Sequence, residues 1–354
     1  MRTYLDHNAT SPLRPCVKAA MLTAMDVHGN ASSIHGEGRK ARKLMDDARE
    51  ALAFNLGCLP QMITFTSGGT EANNMALRGV DVERVLVSAV EHPSVLALGG
   101  ERIPVDAQGR VDEAALAKLL QGPKALVSIM LANNETGVIQ NINELAQVIH
   151  NAGHLLHVDA VQAFGKIPVN FGLLGCDLLT IGAHKVGGPV GIGALVIRDG
   201  LVVEPLVQGG GQELRRRAGT ENNIAIAGFA AVAKEPLLDQ STLRDTLEAA
   251  LPDATIFSKH ATRLSNTSCF ALSNMSAESL LMNYDLEGIA VSSGSACSSG
   301  KVTRSHVLTA MGVAPDLAAN AIRVSLGWNT TEQDITHFIA VTHKLMARAK
   351  LRAA

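Results

Sequence analysis

The run Cys176-Asp177-Leu178-Leu179-Thr180-Ile181-Gly182-Ala183-His184-Lys185-Val186-Gly187-Gly188-Pro189 continues as Val190-Gly191-Ile192-Gly193-Ala194-Leu195-Val196-Ile197. Two apolar segments that read as buried strands, Cys176 to Leu179 and Val190 to Ile197, thus flank a glycine loop with a single lysine. A lysine on a solvated face normally has charged or polar company. Lys185 has only His184 beside it, so its ammonium is either costly or covalently used. Desolvation lowers a lysine's pKa and makes its amine a nucleophile, as Schiff-base chemistry requires. The commoner alternative for an isolated lysine is a loop side chain that snorkels to water. The rest of the chain has to decide between them.

Outward from this loop the chain alternates strand and helix. Met62 to Thr66, Arg84 to Ser88, Ala125 to Leu131, Leu155 to Asp159 and residues 178–181 read as strands, apolar almost throughout. Helical spacing covers residues 36–57, with Leu44, Ala48, Ala51 and Leu52 on one face, and residues 142–152. Strands that are apolar throughout and alternate with helices predict an α/β fold, a mostly parallel sheet covered on both faces. Before it, residues 1–13 form an extended arm, with Pro12 and Pro15 delaying helix until about Val17. Beyond residue 230 the pattern changes to helices over Asn222–Lys234 and Thr242–Leu251, short strands at 267–272, 290–292 and 322–326, and a helix over 331–350. The expected organisation is a large domain over 14–230 and a smaller α/β domain from 1–13 plus 231–354.

A chain of 354 residues has room for both. Its net charge of −2 gives no reason to expect a nucleic-acid partner. No apolar run approaches the roughly 18 residues that span a bilayer, and the polar start at Met1-Arg2-Thr3 does not resemble a signal peptide. The expected location is the cytoplasm. The five cysteines are scattered, with no CxxC pair, which argues against a disulfide framework or structural zinc. Cys16, Cys58, Cys176 and Cys269 read as small core residues. Cys297 differs: it lies in Ser292-Ser293-Gly294-Ser295-Ala296-Cys297-Ser298-Ser299-Gly300-Lys301, where a strand dissolves into small polar residues. An exposed thiol with Lys301 and Arg304 nearby favours the thiolate and a nucleophilic role.

Other polar residues fall just past strand ends, the edge at which open α/β sheets bind ligands. Thr70, after Gly68-Gly69 at a strand-to-helix turn, offers an anion site suited to phosphate, or only an N-cap. Asp159 ends an apolar strand, with Gln162 three positions on. A carboxylate there needs a cation such as a protonated pyridine nitrogen, or is itself an ordinary helix cap. His92, before Pro93, could stack on a planar ring or relay a proton, the alternative being a surface loop histidine. Arg323 stands alone in an apolar strand, and its carboxylate partner is either an internal acid or an amino-acid substrate.

Together, Tyr4-Leu5-Asp6-His7-Asn8-Ala9-Thr10, residues 66–74, Glu91-His92, residues 133–140 and 157–162, His184-Lys185, and residues 209–222, 292–297 and 323–327 resemble the cysteine desulfurases. These are class V members of the fold-type I pyridoxal-phosphate enzymes, and the segments follow the family's order along nearly the whole chain. The resemblance implies that Lys185 binds pyridoxal 5'-phosphate covalently and moves protons at the substrate's α- and β-carbons. It implies Asp159 on the pyridinium nitrogen, His92 stacked on the ring as acid/base, and Asn134 and Gln162 on the phenolic-oxygen side. Gly69, Thr70 and His184 would hold the phosphate, with Thr220 reaching the other subunit of a homodimer. Gly182 stands in the same region, where relatives commonly carry serine. Arg323, with Asn134, would grip the carboxylate of L-cysteine. Cys297 would take its sulfur as a persulfide for an acceptor such as an iron–sulfur scaffold, and the only metal role left open is transient ligation of such a cluster by Cys297. The spacing after Cys297 resembles the long-loop branch, although the chain ends earlier than its housekeeping members. A selenocysteine lyase, or another class V lyase or aminotransferase, would share the cofactor residues. A non-enzymatic sulfur-relay protein would predict damage at Lys185 or Asp159, and both are intact.

Overall fold

A computed structural model describes residues 2–273, 275–293 and 304–353; Cys297 and Lys301 lie outside the described residues. Among the described residues the strands are β1 (Thr3–Tyr4), β2 (Ile63–Thr66), β3 (Arg84–Ser88), β4 (Glu101–Ile103), β5 (Ala125–Met130), β6 (Leu155–Asp159), β7 (Leu178–Gly182), β8 (Gly193–Ile197), β9 (Ala254–Ile256), β10 (Thr267–Leu272), β11 (Ile289–Ala290), β12 (Ser292–Ser293) and β13 (Ala321–Ser325). β2 to β8 make one sheet in the order β2-β8-β7-β6-β5-β3-β4. Its pairings from β7 to β4 are parallel, and β8 is antiparallel to both of its neighbours. The mostly parallel sheet expected from the apolar strands is therefore present.

Alternation explains why these strands are apolar on both faces at most positions. Leu126, Leu155, Leu178 and Leu195 face Ala72, Met75 and Ala76 of helix α3 (Gly69–Gly79). Their neighbours Val127, Leu156, Leu179 and Val196 face the opposite layer, which contains Met45 and Leu52 of helix α2 (Gly36–Leu56) and Phe229 of the helix Asn223–Ala233. Both faces are covered, so a polar side chain there needs an internal partner, as in the Ser128–His157–Thr180 chain (2.8 and 3.0 Å). A second sheet, β12-β13-β10-β9, is antiparallel throughout. One of its faces packs Phe270 and Ile322 against Phe338 and Tyr284. The amino-terminal arm joins this second region: β1 pairs with β11, and Asp6 bridges to Ser325.

Several boundaries and faces differ from the sequence reading. Helix α1 (Pro15–Met25) starts on Pro15 itself rather than near Val17, because a proline in the first turn has no helical N–H to lose. Met62 ends a short 3-10 turn before β2, and β7 starts at Leu178 rather than Cys176. β8 is shorter than the apolar run suggests, because Gly187 and Gly191 take positive φ and keep the chain turning until Gly193. The buried face of α2 is Ala41, Met45, Ala48, Leu52 and Leu56, with Leu44 and Ala51 only half-buried at its edge. Cys16 is exposed on α1 and is not a core residue, and Cys58 is half-buried.

Candidate active site

β2, β3, β5, β6 and β7 point the same way, so their C-terminal ends share one edge of the large sheet. A cavity of about 260 Å³ opens at that edge. The turn after β2 delivers Gly69 and Thr70 to it, and the turn after β3 delivers His92. Asn134 arrives after β5, Asp159 and Gln162 at the end of β6, and His184 and Lys185 after β7. Arg323, from β13 of the second sheet, completes the lining. Thr220 does not join them: it lines a separate cavity of about 220 Å³ with Thr66, Ser67 and Asn222.

At one end of the cavity the amino terminus of α3 is open. Its cap residue is Gly68, at φ 153°, and no side chain caps the helix. The first-turn N–H groups therefore point out without the usual serine or aspartate oxygen, which is the state that receives an anion. Glu71 in that turn is directed to the Ser67 N–H (2.8 Å) and to Arg217 (2.8 Å). Position 69 needs glycine, since a Cβ there would come within 2.7 Å of Val161 Cγ2. Gly182 lies just behind; a Cβ on it would be 3.9 Å from Gly69 N and in ordinary contact with Val161.

Asp159 is 4% exposed and lines the cavity. Its Oδ1 accepts the Val161 N–H (2.9 Å), and its Oδ2 accepts from Asn73 Nδ2 (2.8 Å). Asn73 also donates to Ser94 Oγ (2.9 Å), and Ser94 Oγ is 2.8 Å from His92 Nδ1. His92 caps the short helix α4 (Pro93–Leu96) by accepting the Ser94 N–H at Nδ1 (3.1 Å). An acceptor Nδ1 leaves the proton of the neutral ring on Nε2. Burial lowers the pKa of His92, Asp159 pulls it back up, and Lys185 and His306 lower it further. Burial, with Lys185, His92 and Lys166 nearby, lowers the His184 pKa to about 4. Both imidazoles are therefore neutral near pH 7.

Lys185 is not the solitary cation that its sequence neighbours suggest. Its Nζ donates to the backbone oxygens of Asn8 (2.8 Å) and Ala9 (2.7 Å), brought in by the amino-terminal arm. Arg323 likewise has an internal acid. Nη2 pairs with Asp6 (2.7 Å), and Nη1 donates to the Asn134 backbone oxygen (3.1 Å). Its Nε, together with Asn73 Oδ1 and Asn134 Oδ1, is a buried polar atom with no hydrogen-bond partner among the described residues. All three side chains line the cavity.

Residues that the sequence reading gave no role also belong to this constellation. Asn8 is 1% exposed and sits among both sheets and the lysine loop. Lys166, 4% exposed, donates to Asn8 Oδ1 (2.8 Å) and Gln162 Oε1 (2.9 Å). The argument that singled out Lys185 applies equally to Lys166, a lone cation in Ala163-Phe164-Gly165-Lys166-Ile167-Pro168. Asn73 carried no such signal, being one polar residue in a helix that begins with several.

An uncapped helix terminus, a buried carboxylate, a lysine and unspent polar atoms around one cavity suit a phosphorylated, cationic, carbonyl-bearing ring. Phosphate matches the α3 terminus, a ring nitrogen matches Asp159, and the lysine amine matches the carbonyl. On this α/β framework that combination defines a fold-type I pyridoxal-phosphate enzyme.

The chain belongs to the class-V aminotransferase family, whose pattern it matches over residues 3–338, and pyridoxal phosphate is its cofactor. It is 41% identical over 98% of its length to the cysteine desulfurase IscS of Dictyoglomus turgidum, covering 95% of that protein. It is 42% identical over 96% of its length to a cysteine desulfurase of Cereibacter sphaeroides, of which 94% is covered. Among solved structures, a NifS-like protein from Rickettsia africae superposes with a TM-score of 0.91 at 38% identity, over 98% of this chain and all of that one. SspA in complex with cysteine superposes with a TM-score of 0.81 at 29% identity, over 92% of this chain and 98% of the other.

Proposed function

We infer that this protein is a pyridoxal-phosphate-dependent cysteine desulfurase that converts L-cysteine to L-alanine and takes up the sulfur as a persulfide on Cys297. The observation that carries the activity is identity of 41–42%, over nearly the full chain, to proteins of that activity. The sum of the reaction balances: the substrate's C–S bond breaks, an S–S bond to Cys297 forms, and the thiol and substrate protons end on alanine and the persulfide. A persulfide is a transferable form of sulfur, which fits delivery to an acceptor protein such as an iron–sulfur scaffold in the cytoplasm.

When bound, pyridoxal phosphate supplies the electron sink that stabilises negative charge next to the substrate's amine. The protein's residues do the rest. Lys185 would be the covalent anchor, and its free amine would be the base beside the substrate carbons. Asp159, fixed by Asn73 and the Val161 N–H, keeps a carboxylate on the ring-nitrogen side. The α3 terminus, Gly69, Thr70 and His184 would receive the phosphate, with Gly182 just behind them. Neutral His92, with its proton on Nε2, would lie against the ring and hold or pass a proton at that nitrogen. Gln162 and Asn134 address the phenolic-oxygen side. Arg323, with its Nε unspent, and Asn134 receive the substrate carboxylate. Thr220, which lines a different cavity of its own chain, would act in the site of a second copy in a homodimer. The working division of the chain is 14–230 for cofactor binding and 1–13 with 231–354 for the cysteine-bearing part.

The test is purified protein assayed with L-cysteine for alanine and sulfide, with L-selenocysteine in parallel. Wild type should form alanine from L-cysteine. Cys297→Ala should keep the visible absorbance of bound cofactor and lose that activity, whereas Lys185→Ala should lose both. Activity on selenocysteine alone would make the protein a selenocysteine lyase, and full activity of Cys297→Ala would remove the persulfide from the mechanism.

A further inference from the structure

Lys166 is buried and lies behind the cavity, and among the described residues it makes no ion pair with a carboxylate. The charged and titratable groups that act on it or feel it are Lys185 and His184 of the lysine loop, Arg323 of β13 and His7 of the arm. None of these is an acid. Burial first, then Lys185 and Arg323, hold its pKa well below the usual lysine range. An apolar side chain would fill the same space without this cost.

The geometry shows what the amine does. Lys166 Nζ meets two amide oxygens, the surroundings of an ammonium, which has donors and no acceptor, even though burial disfavours its charge. Lys166 Nζ touches one amide of each of two neighbours: Gln162 at 2.9 Å and Asn8 at 2.8 Å. Gln162 is thereby forced to present its oxygen to Lys166 and its NH2 to the other side, where Nε2 donates to the Asn8 backbone oxygen (3.0 Å). Asn8 is forced the same way. Its Oδ1 faces Lys166, and its Nδ2 donates to Thr267 Oγ1 (2.9 Å) and to the Asn134 backbone oxygen (3.3 Å). That Asn134 oxygen also receives Arg323 Nη1, and the Asn8 backbone oxygen also receives Lys185 Nζ. Lys166 thus helps set the direction of two amides, together with Asn266 Nδ2, which also donates to Asn8 Oδ1 (3.2 Å), and both amides touch partners of Lys185 or Arg323.

We propose that Lys166 is a positioning residue of the cofactor site: through Asn8 and Gln162 it fixes which amide atoms face the cavity and where the Lys185 amine is seated. The proposal rests on the pyridoxal-phosphate reading of the cavity. Lys166 also places positive charge beside Lys185, so its removal makes protonation at the Lys185–cofactor linkage easier.

The test uses the holoenzyme and reads cofactor absorbance against pH and cofactor loss on dialysis. Lys166→Met keeps the stem and removes the donors and charge; it should melt no lower than wild type. Its absorbance midpoint should move upward by roughly one pH unit, and its cofactor should be lost about tenfold faster. Asn8→Asp, which sets a carboxylate against Lys166, should move the midpoint the same way and serves if Lys166→Met does not fold. Gln162→Ala should also speed cofactor loss, and Lys166→Met should add little to that loss in the double variant, since the two act as a unit. A midpoint and dialysis rate equal to wild type in Lys166→Met, a midpoint unmoved or lowered in Asn8→Asp, or fully additive losses would each overturn the proposal. Absence of cofactor absorbance from the wild-type protein would overturn the underlying reading instead.

Discussion

The cavity has two walls that are built differently. The sheet-side wall (Gly69, Thr70, His92, Asn134, Asp159, Gln162, His184 and Lys185) is made of residues at or within a few positions of a strand end. Local contacts hold several of them, His92 by its own helix cap and Asp159 by the Val161 N–H two residues on, while Lys185 and Gln162 also reach the arm. The opposing wall is assembled over long distances. Asp6 and Arg323 are 317 positions apart, Asn8 and Thr267 are 259 apart, and Lys185 meets Ala9 across 176. A locally placed wall survives small shifts between sheets. The arm-side wall exists only while the arm, β13 and the lysine loop are docked together.

The largest effect that separates the two walls should come from the Asp6–Arg323 pair. Both members are substantially buried, at 20% and 4% side-chain exposure. Arg323→Ala leaves Asp6 without its cation and should cost about 3 kcal/mol of stability. It should also lower kcat/KM for L-cysteine by at least about 100-fold, mostly through KM, if Arg323 also receives the substrate carboxylate. Asp6→Asn keeps a hydrogen-bond acceptor and should cost about 1 kcal/mol with less than a tenfold change in KM. Denaturant melts and steady-state kinetics of both variants decide the matter. Equal losses of kcat/KM would make Arg323 a tie between arm and sheet rather than a substrate residue.

This difference between the walls also governs how much can be read from the chain. The strand ends are legible because a polar residue after an apolar run is a local signal, and Asp159, His92 and Lys185 all carry it. The solitude of Lys185 is misleading because its partners are backbone oxygens of Asn8 and Ala9, which no side-chain pattern reveals. Arg323 visibly needs an acid, but nothing local identifies Asp6. Lys166 escapes notice although it has the same lonely context as Lys185, because it falls in a turn rather than between two strands. The antiparallel direction of β8 is equally invisible, since an apolar run reports burial and not direction.

Acid should act on both walls, with a sign fixed by the histidines. His7 of the arm is held at about 4 and His157, inside β6, at about 3, burial being the main cause in each. Unfolding returns each to about 6.5, so between those values the unfolded chain binds more protons than the folded one. Their neutral state carries no penalty above about pH 6.5, and stability falls as pH drops from there toward the folded values. Glu91 works in the opposite direction: burial, reinforced by Asp159, raises its pKa well above the usual range, so its contribution weakens as pH rises. At pH 5 each histidine costs up to about 2 kcal/mol relative to pH 7. The melting temperature should therefore fall on acidification, and His7→Gln, which removes the arm's titrating group, should make that fall shallower. An unchanged slope in His7→Gln would place the acid sensitivity entirely in the sheet-side wall.

The smallest effect should come from the sheet-side wall, at Gly182. Gly182 is not among the described glycines with positive φ, so its backbone suits any residue. A Cβ there would sit 3.5 and 3.7 Å from the two methyls of Val161, ordinary van der Waals contact, and 3.9 Å from Gly69 N. A serine side chain at this position would thus fit without displacing its neighbours. It would bring a hydroxyl to the amino terminus of α3, where the resemblance expects a serine against phosphate. One more neutral-to-charged hydrogen bond contributes on the order of 1 kcal/mol, so Gly182→Ser should slow cofactor loss on dialysis by about two- to fivefold and leave kcat nearly unchanged. A local wall predicts that this gain is independent of Asp6→Asn, because the atoms nearest a Cβ at position 182 belong to Val161 and Gly69 rather than to the arm. Loss of cofactor at the wild-type rate would mean that the α3 terminus, Thr70 and His184 already saturate the phosphate oxygens. A gain that vanished in the Asp6→Asn background would mean that the two walls are not built separately after all.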